Sequence, residues 1–579
     1  MQLSTSNLKI STADLNSEAM PVCIAVGQDA KRLLADTDFQ LQWDRLYEEC
    51  KWATAFQSRD FVSIWYSLNE YEYTPVIVTG EQNGKLNGLL TMAILKDSKS
   101  KSTLRNKRSR LVSAGNYEAE YQTWLTSISF EHNFINEALS ILIKTFPKHD
   151  IYFRFIPAGT SVKNLAYSPN WEKFCVLQTI SRPLMEMNKP ETAKLFRKRG
   201  FNLKLNRLKR LGDIKFTHIS DPDQFKIIYQ QLKDQYDFRQ GAMFNKIHFK
   251  GNSQASELLL KLFDCNLLHV TVLTLNNEPI ASIVGVQDKN WVHLGGINTH
   301  SPFYAAHSPG FVHFILLGQL LTNENSVTIF DLTPGGDAYK ERMATSHDYV
   351  YELLISSSYF YNLKRRIRKF LHDQLIKSGY RPISMELILT KKAYLLNARL
   401  KGLHHRLWFS NSGYGRSEIQ YQSDYTTELL NLSTNSLKDL LCFEQIGTQT
   451  TKWEFLEEAM TRFENGEDAY TYTENKQLLF CTWIKEKDKE KSNKQSIYIQ
   501  VPLLEVTYCH PAVTGMLPSL LTNAYALVNA PALKLPNQAI IRINDNRLLK
   551  ALRESGFRIR KIGNADGSVP SSHSLANTH

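Results

Sequence analysis

Residues 267–299 read LLHVTVLTLNNEPIASIVGVQDKNWVHLGGINT. Three runs rich in Val, Ile and Leu are separated by the polar turns NNEP and DKN, so the stretch is expected to form a three-strand meander. HSPFYAAHSPG follows as a loop. FVHFILLGQLL, from Phe311, is apolar all round and fits a buried helix, and SVTIFDL (326–332) is a further strand.

The same order occurs twice more. Residues 74–95 give strand, Asn83-Gly84 turn and strand. A helix is expected before them over 42–61, with Trp43, Leu46 and Tyr47 on one face. Residues 469–508 give a third meander, whose charged run at 485–494 is most simply a solvated hairpin tip. It is followed by CHPAVTG, a helix over 517–527 and a strand over 538–543. Then come an Asn-capped helix stopped by Gly556 and a closing strand. Strands and helices therefore alternate in three similar modules. The expected class is α/β (α+β), with mixed sheets flanked by helices, and a coiled coil or solenoid is excluded. The expected segments are a lead at 1–35, modules at 36–185, 186–380 and 381–562, and a disordered tail at 563–579.

With 579 residues the chain is too long for one ordinary core. Its 42% hydrophobic and 11% aromatic content is that of a folded globular protein. No apolar run reaches the ~20 residues of a membrane span. The polar start MQLSTSNLKISTADLNSE predicts no secretory signal, and so the cytoplasm. Seven scattered cysteines without a CxxC predict reduced thiols, with neither a disulfide framework nor a structural zinc site. No HExxH, P-loop or GxGxxG occurs, so no metal is expected.

The net charge of +12 draws polyanions without choosing among nucleic acid, acidic lipid and phosphorylated small molecules. The charge clusters at 96–110, at 194–210 (eight Lys/Arg and no acid) and at 364–370. The second cluster keeps a helical apolar stripe broken near Gly200. It is either a solvated basic face or one that meets a phosphate-bearing ligand.

Meander, loop, helix and strand in this order resemble the GNAT acyltransferase fold. Asn546 to Phe557 resemble the way many GNAT domains close. The middle of the chain resembles the CelD/BcsL-type acetyltransferases linked to cellulose and other polysaccharide biosynthesis. The matching features are Trp43 and Leu46, FQSRDFVSIW (56–65), the basic RKRGFNLKLNRLKRL (197–211), HSPGF (307–311) and DLTPGGDAYKER (331–342). The Fem aminoacyltransferases are similar in their two-module layout.

The resemblance implies an acetyl-CoA or other acyl-CoA co-substrate and a sugar or polysaccharide-precursor acceptor. It allows peripheral contact with an anionic membrane or with polysaccharide synthesis machinery, and nucleic acid is not an expected partner. A Fem-like enzyme using charged tRNA, or a degenerate scaffold binding an anionic partner, are the alternatives. For the co-substrate, Ser308 is placed to cap, Pro309 to open the helix and Gly310 to admit phosphate, ahead of Phe311. An ordinary capped helix has the same parts. CHPAVTGML (509–517) keeps Gly515 but lacks the family's glycine-rich loop, so the middle module is the catalytic candidate. Asp331 is the candidate base, with His300 and His307 as others. Tyr304 and Tyr339 are candidate acids toward the leaving thiolate, and Lys340 a candidate cation for developing negative charge. Each also has an ordinary structural reading, as a turn cap, loop residue or packed ring.

Overall fold

The computed structural model describes residues 21–96, 109–197, 199–324, 326–406, 417–421, 430–446, 448, 450–485, 503–529, 539–543, 546–555 and 559–560. The basic run at 97–108, the charged tip at 486–502, the Gly556–Phe557 closure, residues 1–20 and the tail lie outside these. The chain forms two compact units. The first comprises residues 1–236, 248–301 and 307–389, and the second residues 237–247, 302–306 and 390–579.

The first unit opens with β1 (Val22–Val26), α1 (Gln28–Ala35), α2 (Thr37–Glu49) and α3 (Arg59–Leu68). The helix expected over 42–61 is thus two helices. Cys50 turns extended, Thr54 and Gln57 close a short capped turn, and the Ser58 side chain accepts from Phe61 N to start α3. Two good cap residues within five positions restart the chain where periodicity alone suggests continuity. The Trp43 indole donates to Gln57 O at 3.0 Å and pins the break.

Next come β2 (Tyr73–Gln82), β3 (Lys85–Leu95), β4 (Ser109–Ser113), β5 (Leu125–Thr126), α4 (Glu131–Thr145), β6 (His149–Pro157), α5 (Val162–Ala166) and β7 (Cys175–Glu186). Asn83 and Gly84 both take positive φ, the hairpin turn their sequence promises. The basic stretch forms α6 (Pro190–Phe196) and α7 (Arg199–Lys209), with the break close to Gly200. β8 (Ile214–Ile219), α8 (Pro222–Phe244) and α9 (Ser253–Asp264) lead into the expected meander: β9 (Leu268–Leu275), β10 (Glu278–Asp288) and β11 (Trp291–His300). α10 (Pro309–Asn323), β12 (Ile329–Asp331), α11 (Ala338–Met343), β13 (Ser346–Ile355), α12 (Tyr359–Lys377) and α13 (Pro382–Arg406) follow.

The first-unit strands make one mixed sheet in the order β1-β2-β3-β4-β6-β13-β7-β12-β11-β10-β9-β8, with β5 on β3. β13 lies between β6 and β7, and β7 lies between β13 and β12. The strands before and after the middle of the unit are therefore interleaved, and they share a core built from Trp43, Trp65, Trp124, Phe134, Phe153, Val270 and Leu353. α10 packs a nearly wholly buried face on β9 and β10, as its continuous apolar sequence requires.

In the second unit, β14 (Ser417–Tyr421), β15 (Ser433–Thr434), α14 (Leu437–Leu440), α15 (Lys452–Glu464), β16 (Glu467–Glu474), β17 (Gln477–Lys485), β18 (Leu503–Cys509), α16 (Leu517–Asn529), β19 (Ala539–Ile543), α17 (Asn546–Glu554) and β20 (Ile559–Arg560) appear in turn. Their sheet runs β15-β16-β17-β18-β19-β14-β20. One core gathers Phe443, Phe455, Phe463 and Trp483, and another gathers Phe480, Leu517, Leu520 and Leu552. The mixed α/β class expected from the sequence is the observed one. No helix among the described residues is long and apolar enough to cross a membrane.

Candidate active site

β12 holds its place by pairing parallel with β11 at only three positions: Trp291 with Ile329, Val292 with Phe330 and His293 with Asp331. β12 then ends and β11 runs on for seven residues. At that point β11 also bulges, because three residues (294–296) face the single Gly285 of β10. Gly296 takes φ 138°, and a Cβ there would stand 2.5 Å from Val284 O, so the bulge needs glycine. Bulges turn backbone groups out of the ladder, and here the turn falls where the sheet edge opens.

At the apex of this opening lies a buried polar network. Register puts His293 beside Asp331, and His293 Nδ1 meets Asp331 Oδ2 at 2.8 Å. Tyr121 donates its hydroxyl to the same oxygen, and Arg182 of β7 reaches it at 3.4 Å. Arg182 forks onto Asp348, its cross-strand partner on β13, and lies over the rings of Tyr121 and Trp291 at 5.1 and 5.2 Å. Asp331 Oδ1 accepts Thr333 N at 2.8 Å. Burial alone would raise the Asp331 pKa, but the Arg182 charge and the His293 and Tyr121 bonds outweigh it and hold the carboxyl below its usual range. Burial drives the Tyr121 hydroxyl well above its usual value.

Thr333 also joins the turn to Lys340. The Lys340 ammonium donates to Thr333 Oγ1 at 2.9 Å and to Thr333 O at 3.2 Å. Burial lowers its pKa, opposed by Asp337, Glu120 and Asp331. Arg381 binds Gly335 O at 2.8 Å and clamps the glycine corner. Asp331 and Lys340 are thus brought together, but both are buried.

The carboxylate that faces the opening is Glu120, from the loop between β4 and β5. A Cβ added at Gly295 would stand 4.0 Å from Glu120 Cβ, so Glu120 lies directly over the bulge. Its side chain is 18% exposed and 3.3 Å from Arg154. Burial raises its pKa, against the Arg154 and Lys340 charges. Its loop is fixed by Gln122, whose amide donates to Asn116 O while its oxygen accepts from Arg154 N. Sequence reading passed over Glu120, Tyr121, Arg182 and His293. The only local signal was the acid–aromatic run YEAEY within 113–125.

At the far end of the open β11 edge stands the start of α10. Ser308 adopts a left-handed conformation and makes no side-chain cap, contrary to the capping role expected of it. Its hydroxyl instead meets Lys204 Nζ of α7 at 3.0 Å, and that ammonium lies 4.8 Å over the Phe311 ring. Pro309 opens the helix as expected. A Cβ at Gly310 would stand 3.0 Å from His300 Nδ1, so a side chain there would press on that ring. Tyr339, 38% exposed on α11, takes Asn298 of the open edge at 3.3 Å. His307 is half-buried one residue before Ser308, outside the Asp331 network.

Residues 196–341 match the family model of the acetyltransferase (GNAT) domain. The matched stretch carries the meander, α10 and the Asp331 corner. Among solved structures, L-PGS from Bacillus licheniformis is 13% identical and covers 58% of this chain and 96% of its own, at a TM-score of 0.37. FemX is 9% identical and covers 56% and 98%, at 0.38. A tandem GNAT protein from the clavulanic acid biosynthesis pathway is 9% identical and covers 57% and 98%, at 0.34. Likeness of this degree says nothing about substrate or partner. No curated protein sequence matches the chain.

Proposed function

We propose that the first unit is an acyl-CoA-dependent acyltransferase acting on an amine or hydroxyl of a sugar or polysaccharide precursor, in the cytoplasm. The observation that carries the transfer chemistry is the three-residue β11–β12 pairing. It opens at a buried Asp331–His293 pair, under Glu120 and beside a bulged backbone. The sugar acceptor rests on the resemblance of 307–311 and 331–342 to CelD/BcsL-type enzymes.

Seven residues of open β11 edge span about 23 Å, a reach suited to an extended pantetheine arm adding to the sheet. The pyrophosphate end then meets the first turn of α10 with Lys204, where helix amides and an ammonium favour phosphate. At the other end the thioester carbonyl lies by the bulge, whose amides polarise it. Glu120, with its raised pKa, takes the proton of the attacking amine or hydroxyl. The new C–N or C–O bond forms, the C–S bond breaks, and the thiolate takes a proton from the Tyr339 hydroxyl. Asp331, His293 and Arg182 are positioning residues that keep the apex rigid, and Lys340 holds the glycine corner.

Thermal-shift titration with acetyl-CoA, longer acyl-CoAs and charged tRNA tests the donor, because a ligand of the folded state raises Tm. A rise with acyl-CoA, followed by thiol release in the presence of amino-sugar acceptors, is the expected result. A rise with tRNA alone would replace this reading with the Fem-like one.

A further inference from the structure

The opposite end of α10 carries a second cluster, away from the Asp331 network. β8 and β9 pair antiparallel with His218 opposite Thr271, which sets His269 diagonally beside His218 on the same face. Their rings stack at 4.2 Å. Glu324, the residue ending α10, brings its carboxylate within 3.6 Å of His218 Nδ1 and 3.5 Å of His269 Nε2. His269 is 2% exposed; its Nδ1 has no hydrogen-bond partner, and its Nε2 faces the Glu324 carboxylate at the long distance of 3.5 Å. A buried imidazole left so is costly unless something takes its lone pair. The neighbouring His313 is no rival for that role, since its Nε2 is engaged by Thr271 Oγ1 at 3.0 Å.

We propose that His218, His269 and Glu324 bind one divalent cation of the zinc class, leaving a fourth coordination position open. All the ligand atoms lie within 4.8 Å of one another. A tetrahedral zinc with bonds of about 2.0–2.1 Å places its donors about 3.4 Å apart, close to the two carboxylate–imidazole separations. The two rings stack within 19° of parallel, so binding requires them to tilt apart until both lone pairs meet at one point. Two imidazoles and a carboxylate suit zinc better than magnesium or calcium, and the negative end of a helix favours a cation. The three residues line one cavity of about 660 Å³ with Arg59, Asp60, Asp288, Lys289 and Trp291, so the open position faces space for a small polar ligand. Sequence spacing gave no metal signal because the ligands come from two strands and a helix end far apart in the chain.

The test uses the full chain, stripped with chelator. Calorimetric titration with Zn²⁺ and the visible spectrum of bound Co²⁺ should show one equivalent that the variants lose. His269→Ala and Glu324→Gln are expected to weaken that equivalent about 100-fold or more, and His132→Ala, on the exposed face of α4, to leave it unchanged. Should His269→Ala fail to fold, His218→Ala at the exposed edge serves, read by loss of the Co²⁺ bands and of the Zn²⁺-dependent rise in Tm. No saturable binding to the wild type, or equal binding by wild type, His218→Ala and Glu324→Gln, overturns the site.

Discussion

The two units pass from meander to helix to parallel strand by the same route, yet they fill it differently. In the first, β11 and β12 pair for three residues and end on His293 and Asp331, with a bulge and an open edge beyond. In the second, β18 and β19 pair for four residues, from Leu503 with Ile540 to Val506 with Ile543. Leu504 and Val506 feed an apolar core, and the one acid of β18, Glu505, is held by Arg462 together with Glu458 and Glu467. The helix starts differ as well. Lys204 and the close His300–Gly310 approach mark α10, whereas α16 follows a short turn capped by His510. The same backbone route thus carries a buried charge network in one unit and ordinary core in the other.

The comparison breaks most sharply at Asp331. Asp331→Asn should cost about 3 kcal/mol in urea unfolding near neutral pH, because the buried Arg182, His293 and Tyr121 lose the carboxylate on which they converge, although Arg182 keeps its fork on Asp348. Glu505→Gln should cost about 1 kcal/mol or less, since the partly exposed Arg462 keeps its other partners. The Asp331 pKa is lowered on folding, so its contribution is full above the ordinary value of 3.8 and is lost as pH falls further. The gap between wild type and Asp331→Asn should therefore close in acid. A gap that persists there would mark a packing effect instead.

Next in size is Glu120→Gln, expected to lower kcat about 100-fold with little change in KM. The wild-type rate should rise with pH through a limb above the ordinary glutamate value of 4.5, since the base works ionised and its folded pKa is raised. A variant with an unchanged kcat would remove Glu120 from the chemistry. Gly310→Trp should abolish the acyl-CoA thermal shift, about 2.7 kcal/mol of stabilisation at a hundredfold excess over Kd. Gly515→Trp, where a Cβ meets nothing within 4 Å, should leave the shift intact. Equal loss in both would mean the units bind alike. The smallest effect is expected from Lys204→Ala, a roughly fivefold weaker acyl-CoA affinity that fades at high salt.

The meander and α10 were legible because strand alternation, polar turns and a continuous apolar helix are local signals. The closeness of Asp331 and Lys340 was also suggested by one short segment. Glu120 was not legible. Its position over Gly295 arises only when the β4–β5 loop, fixed by Gln122, meets a bulge in β11. Ser308 looked like a cap because cap residues are read by type, while Lys204, 104 positions earlier, claims its hydroxyl in the fold. The break after Cys50 was hidden because Trp43, Leu46 and Tyr47 set a rhythm that the Thr54 and Ser58 caps interrupt.

The interleaved strands bear on how the chain is made. β7 lies between β13 and β12, so its two neighbours are among the last strands of the first unit to be synthesised. On the ribosome, residues 175–186 must wait with both edges unpaired until residues 329–355 emerge. Pairings of such long sequence separation are slow to form and expose sheet edges meanwhile. A chain truncated after β11 should therefore accumulate as an aggregation-prone fragment rather than as a smaller working enzyme.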